Sequence, residues 1–507
     1  MFSSRSRPLF ALISPAIGAA APALAQLIGP STAAAPYLLP SRAGVSTTSL
    51  LTVGDQVGGY TMVGIPDGLG AFDGPGDSLT LMMNHELGFG VGAVRAHGAA
   101  GAFVSRWEID KTDLSVTSGR DHNTAGSDVH TWNGAGYTQG TAPFGRFCSA
   151  DLAAPGAFRF GDLGTDARIL TNGEEVGAEG RSFAHILTGA DENTTWQLPR
   201  LGRFSWENAV PSPYAQQKTI VVGTDDSSPG QVYVYVGEKT DAGNDIERAG
   251  LTNGALYGVQ VSGFPTERRM RPANGAFDLF DLGNVENLSG ASLNSQSNAN
   301  DVTNFRRPED GAWDPRPGHE NNFYFVTSDT LTSGGGRSRL YRMTFDDLED
   351  PLAGGTVTAL LEGEEGHEMF DNLTIDTLGR VLIQEDPGSS SRLAKLWLYD
   401  SDTGGVAEVA AHNANFFTPG AADFLTTNEE SSGILDAANL LGPGWFLLDV
   451  QAHYGLPGEQ VEGGQLLALY VDPAIVPEPG PGPVLLALAT CVPRRRSAGR
   501  RRSNPRA

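Results

Sequence analysis

Six times along the chain, a strand-like run of β-branched and aromatic residues ends in acidic or amide side chains, turns through Gly, Ser or Asp, and restarts as a second strand-like run. The pairs are Leu79–Glu86 with Phe103–Asp110, Arg168–Glu175 with Ser182–Leu187, Thr219–Asp226 with Gln231–Val236, Phe323–Asp329 with Leu340–Met343, Arg380–Asp386 with Lys395–Tyr399, and Trp445–Val450 with Leu466–Val471. A repeated unit constrains a fold strongly, because a hairpin that cannot bury its own face must stack on its neighbours. Six such hairpins predict an all-β chain, a six-bladed β-propeller over residues 26–473, with a β-sandwich as the other architecture open to short strands. The 65 Gly and 31 Pro supply turns, and 40% hydrophobic content is enough for a core.

A second acid precedes most hairpins by about 20 positions: Asp67 before Glu86, Glu207 before Asp226, Glu309 before Asp329 and Glu430 before Asp449. Asp371 before Glu385 and Asp151 before Glu174 are looser versions. In a four-stranded blade the inner strand and the end of the second strand both face the central channel, so these pairs are expected to converge on one axis. Converging carboxylates need neutralisation, since each buried unpaired one costs several kcal/mol of desolvation. Hard oxygen donors of this kind suit Ca²⁺ in the central channel. The chain contains no EF-hand loop, H-E-x-x-H, P-loop or G-x-S-x-G element.

Charge is unevenly distributed. The formal total is −24, but nine arginines lie at the two ends, so the body carries about −33. Such a surface repels polyanions and excludes nucleic acid as a general partner. Residues 1–25 read as a secretory signal, with Arg5 and Arg7 before the apolar run Pro8–Ala20 and an Ala23-Leu24-Ala25 cleavage site. Residues 474–507 hold Val476-Pro477-Glu478-Pro479, the apolar stretch Val484–Val492 and an arginine cluster. This tail resembles PEP-CTERM sorting signals of exported Gram-negative proteins. Its apolar stretch is shorter than the roughly 20 residues a spanning helix needs, so transient membrane contact is expected, not an anchor. Outside the tail Cys148 is the only cysteine; no internal disulfide forms in the body, and Cys148 reads as a small buried hydrophobe.

From about Leu79 to Ile383 the chain resembles PhoX-type alkaline phosphatases. The similarity is strongest in Asn84-His85-Glu86, Leu201–Glu207, Gly223-Thr224-Asp225-Asp226 and Arg307-Pro308-Glu309. The resemblance implies a secreted six-bladed propeller with calcium and iron at its axis. It implies metal binding by Glu86, Glu207, Asp226 and Glu309, phosphate contact by Arg307, and a blade start at Asp371-Asn372-Leu373. Two departures stand out. The family's metal-bridging cysteine lies in L-T-C-E-E, whereas Leu170-Thr171-Asn172-Gly173-Glu174-Glu175 keeps both glutamates, with Glu174 and Glu175 left as alternative ligands, and lacks the thiol. Cys148 looks like a separate, upstream family cysteine. Loss of the thiolate weakens the case for Fe³⁺ beside Ca²⁺, because ligand softness helps to choose the metal. The family's phosphate-contacting lysine is also missing, since Glu286–Thr303 contains none.

The leading functional expectation is an exported, monomeric, metal-dependent phosphomonoesterase acting on a small phosphate ester. A calcium-stiffened surface module without catalysis and a metal-dependent lactonase or esterase are the competing readings. Among the histidines, His85 is expected to pack in the core by strand alternation. His453 is a weaker axial candidate, and His122, His130, His319 and His367 are expected in solvated loops.

Overall fold

All six sequence-derived hairpins form in the computed structural model, which describes residues 25–329 and 337–478. Each hairpin supplies the second and third strands of an antiparallel blade. The inner strands, from blade 1 to blade 6, are Pro66–Asp73, Phe147–Leu152, Trp206–Pro211, Pro308–Trp313, Phe370–Ile375 and Glu429–Asp436. Consecutive inner strands pack side by side, and the sixth packs on the first, so the described residues close a six-bladed propeller around a channel.

The N-terminal segment closes the ring. Val45–Thr52 pairs with Glu462–Val471 as the outer strand of blade 6, and Leu38–Pro40 pairs with Val406–His412 at the edge of blade 5. Pairing this one segment with two neighbouring blades ties the described ring together where the sixth blade meets the first. Blades 3 and 4 are further joined by Gly275–Gly283, which pairs with Ala255–Val261 on one side and Gly355–Leu361 on the other. The core lies between blades; Leu382 and Val409 of blade 5, for example, are buried with Phe446 and Leu448 of blade 6. Alternating apolar residues on the second strands make this stacking possible.

Every inner strand carries a register shift near its start: Asp67/Leu69, Phe147/Ala150, Trp206/Ala209, Pro308/Gly311, Phe370/Leu373 and Ser431/Ile434. A bulge breaks the two-residue alternation and re-aims the side chains beside it. In blade 1 the bulge requires glycine, because a Cβ on Gly68 would lie 2.3 Å from the backbone nitrogen of Ala150 in blade 2.

The expected signal falls on residues 1–24 and, at its end, on Ala25, where the edge strand Ala25–Ile28 begins; residues 1–24 and tail residues 479–507 lie outside the described residues. No helix among the described residues is long and apolar enough to cross a membrane.

Candidate metal centre

The same backbone hydrogen bond recurs in all six blades. The residue just before each inner strand accepts from the N–H of the residue that follows the paired stretch of the second strand: Ile65 from Glu86, Arg146 from Glu175, Ser205 from Asp226, Arg307 from Ser328, Met369 from Asp386 and Asn428 from His453. Two residues after each acceptor stands a channel residue at the bulge: Asp67, Cys148, Glu207, Glu309, Asp371 and Glu430. Three rings of six positions thus stack around one end of the axis. All of these positions but Asp67, Ser205, Ser328 and Met369 line a cavity of about 320 Å³ together with Glu462.

Two trios are tightly drawn. Asp67, Glu86 and Cys148 offer ligand atoms within 4.8 Å of one another, and so do Glu207, Glu309 and Asp371. Cys148 links them, because its Sγ donates to Glu207 Oε2 at 3.0 Å. Ser149 Oγ donates to Glu207 Oε1 at 2.5 Å and accepts from Asn372 Nδ2 at 2.5 Å. Asn208 Nδ2 donates to Asp310 Oδ1 at 2.6 Å. The second bulge residues therefore form a hydrogen-bonded floor beneath the carboxylates.

Burial and mutual repulsion push these acids up. Asp67 is raised well above the ordinary carboxylate range by burial and then by Glu86, Asp449 and Glu430. Glu207 is raised by burial, Glu309 and Asp67, and Asp371 by burial, Glu207 and Glu309. Burial, with Asp67 and Glu207, likewise drives the Cys148 thiol upward. Glu430 behaves oppositely: burial opposes its ionisation, but His453 outweighs that and holds it down at about 2. His453 is pushed up to about 11, against its own burial, by Glu430 and Glu462. Behind the rings, both carboxylate oxygens of the fully buried Asp449 lack a hydrogen-bond partner. Packed carboxylates and one thiol, held by a rigid floor and short of counter-charge, fit a metal centre.

The candidate residues separate clearly. Glu86, Glu175, Glu207, Asp226, Glu309 and Arg307 all line the cavity. Arg307 holds Asp226 through two bonds, Nε to Oδ1 at 2.7 Å and Nη2 to Oδ2 at 2.9 Å, and approaches Glu309 Oε1 at 3.2 Å. Glu174 lies apart from the cavity lining. Its carboxylate binds Arg181 through Nε at 2.6 Å and accepts the Gly145 N–H at 3.1 Å. Glu385 of blade 5 repeats this arrangement with Arg392 Nε at 3.0 Å and the Glu368 N–H at 2.9 Å. The acid that ends the second strand is thus paired with an arginine of its own blade's hairpin loop, and the residue just beyond the strand faces the axis. This corrects the expectation that all paired acids converge. Asp329 pairs with Arg306 Nε at 2.6 Å, and Asp151 lines a separate cavity of about 240 Å³ among the far halves of the inner strands.

Cys148 also corrects the sequence reading, since it occupies the ring position held by a carboxylate in the other five blades. Sequence reasoning did not select Asp386 or Arg146, whereas Asp67, Asp371 and Glu430, expected to converge on the axis as members of the acid pairs, do stand at the channel. His85 stacks on Phe103 at 4.3 Å and bonds Ser105, as alternation predicts. His122 and His367 are buried, not solvated, and each bonds a backbone carbonyl.

Fold and site together define a six-bladed propeller with an acidic, thiol-containing axial centre. Residues 188–434 match the family model described as alkaline phosphatase PhoX, which bears out the resemblance read from the motifs. The solved structure of Pseudomonas fluorescens PhoX in complex with vanadate, a transition state analogue, is 15% identical; the similarity covers 85% of this chain and 95% of that one at a TM-score of 0.57. A protein of unknown function from Dyadobacter fermentans is 9% identical over 85% of this chain and all of that one, at a TM-score of 0.40. No curated protein matches the chain. The matched segment contains Glu207, Asp226, Arg307, Glu309 and Asp371, while Glu86, Arg146, Cys148 and Glu175 precede it.

Proposed function

We propose that this chain is an exported, metal-dependent phosphomonoesterase that hydrolyses small phosphate esters at the acidic end of its propeller channel. The observation that carries this reading is the bidentate Arg307–Asp226 pair at the rim of two metal-competent trios, inside a segment matching the PhoX family model. Glu86, Asp67 and Cys148 would hold one ion, and Glu207, Glu309 and Asp371 a second, with Asp226 and Glu175 at the edge. Oxygen-rich donors favour Ca²⁺, and Cys148 as a thiolate restores a sulfur donor of a kind that iron accepts and calcium does not. When bound, the ions supply Lewis acidity and charge neutralisation for an oxygen nucleophile and the phosphoryl group.

The remaining steps fall to side chains of the chain itself. Arg307, braced through Nε and Nη2 by Asp226 and Glu309, keeps Nη1 to donate to a phosphate oxygen. The Ser149, Asn372, Asn208 and Asp310 floor fixes the carboxylates, so little reorganisation accompanies charge development. His453, held between Glu462 and Glu430 and pushed up to about 11 by them, lines the cavity and offsets part of its negative charge. Export by residues 1–25, sorting by the 474–507 tail with transient membrane contact, and a monomeric state complete the proposal.

A substrate panel tests it. Phosphate monoesters should turn over at alkaline pH with lactones and carboxylic esters untouched, and Arg307→Gln should lower kcat/KM for the phosphate by about 100-fold or more. Lactone turnover alone would move the chain to the esterase reading. Absence of any turnover, with calcium raising the melting temperature, would leave the structural module.

A further inference from the structure

We infer that Arg146 is a second oxyanion-binding arginine, forming with Arg307 a two-guanidinium clamp for a phosphate dianion; this rests on the phosphatase reading above. The two residues occupy the same position of the blade repeat. Each immediately precedes an inner strand and accepts the recurring hydrogen bond through its carbonyl, from Glu175 at 2.9 Å and from Ser328 at 3.1 Å. The other four blades place Ile65, Ser205, Met369 and Asn428 there, so blades 2 and 4 alone carry a cation, on either side of blade 3.

Both backbones lie in the left-handed region, with φ of 39° at Arg146 and 58° at Arg307, as do Ile65 and Met369 at the same blade position, with φ of 52° and 45°. A non-glycine residue held there is strained and costs on the order of 1–3 kcal/mol, which the surrounding structure must offset. Equivalent backbone placement sends both side chains into the same 320 Å³ cavity.

Their partners are equivalent as well. Arg307 of blade 4 pairs with Asp226, the residue beyond the second strand of blade 3. Arg146 of blade 2 pairs with Glu86, the corresponding residue of blade 1, through Nη2 at 2.5 Å, and the same nitrogen reaches Glu175 Oε2 at 2.5 Å. Its Nε donates to the Glu175 carbonyl at 3.1 Å. Among the described residues neither arginine donates a hydrogen bond from Nη1. Each therefore keeps one terminal nitrogen for a further acceptor. Arg146 is the more accessible, with its side chain 47% exposed against 26% for Arg307.

The cavity chemistry gives this spare capacity a purpose. A dianionic ester must enter a ring of carboxylates, and a single arginine can engage only one edge of its tetrahedron. A second guanidinium from the other side of blade 3 would donate through its own Nη1 to another oxygen and fix the phosphoryl group between them. No lysine lies in Glu286–Thr303 to take that part.

The test is inorganic phosphate binding to the metal-loaded full chain, by calorimetry, beside hydrolysis of an aryl phosphate, for wild type, Arg146→Gln and Arg146→Lys. Metal content is measured in every sample. Arg146→Gln should weaken phosphate about 10- to 100-fold at unchanged metal content, the range for a charge-assisted hydrogen bond. Arg146→Lys should recover part of that loss, since it restores charge without the fork. Unchanged phosphate affinity in Arg146→Gln, with the wild type binding phosphate and turning over ester, would overturn the inference and leave the phosphatase reading standing. A wild type that neither binds phosphate nor turns over ester would overturn both. A loss of metal that accounts for the whole loss of phosphate binding would make Arg146 a support for Glu86 and refute the clamp.

Discussion

Glutamine at position 207 should stabilise the metal-stripped protein and destabilise the metal-loaded one. Glu207, Glu309 and Asp371 offer oxygens within 4.8 Å of one another. Two ionised carboxylates at that separation repel by about 3.5 kcal/mol at an effective dielectric of about 20. Protonation caps the cost. Burial, Glu309 and Asp67 raise Glu207 well above its ordinary value of 4.5, so proton uptake relieves part of this repulsion. Its folded-state value is raised, so above pH 4.5 the folded chain binds more protons than the unfolded one, and stability falls as pH rises toward the folded value. Glu207→Gln removes that slope and keeps an acceptor for Ser149 Oγ. In EDTA the gain over wild type should grow from under about 1 kcal/mol at pH 5 to about 2–3 kcal/mol at pH 7, after a discount for the buried amide. With saturating calcium the order should reverse, because one ligand is lost. Urea unfolding at several pH values with EDTA or calcium measures both. A variant less stable than wild type in EDTA at pH 7, or a gain that does not grow with pH, would refute the repulsion on which the metal assignment stands.

Other consequences follow from the same geometry. Glu174→Gln should lower stability by about 3 kcal/mol through loss of the buried Arg181 pair while metal content and turnover hold, whereas Glu175→Gln should alter turnover with little change in stability; paired unfolding and kinetic measurements check this. Cys148, buried with its thiol pushed upward, should resist an aromatic disulfide reagent at pH 8 in the native protein and react after denaturation, as peptide mapping of the labelled cysteine would show. Gly68→Ala should destabilise the chain by about 2 kcal/mol or more, because its Cβ would meet the Ala150 backbone nitrogen at 2.3 Å, and a lower urea midpoint would register it.

The hairpins were legible because their strands alternate apolar and β-branched residues up to an obvious turn, as Gln231–Val236 does after Gly223-Thr224-Asp225-Asp226. The inner strands were not. Phe147–Leu152 and Phe370–Ile375 are six residues long, and the bulge in each breaks the alternation on which recognition depends. The same bulges explain the uneven reading of the site. Glu86, Asp226 and Glu309 stand at visible strand ends or beside a proline, so their placement could be inferred from position. Cys148 could not, since its role arises from a bulge that turns it toward Glu207. Glu174 and Glu175 illustrate the limit most directly: adjacent and chemically alike, they point to different places because one lies inside the strand and the other just past it. Arg146 left no signal beyond its equivalence to Arg307, which emerges only once the backbone hydrogen bonds align the six blades.

Turnover of an aryl phosphate, titrated against bound metal in protein first stripped by chelator, tests the central claim most directly. The account predicts no hydrolysis in the stripped protein and activity that rises with calcium and iron uptake until both trios are filled. Phosphate hydrolysis independent of metal, or full metal uptake without hydrolysis, would contradict it.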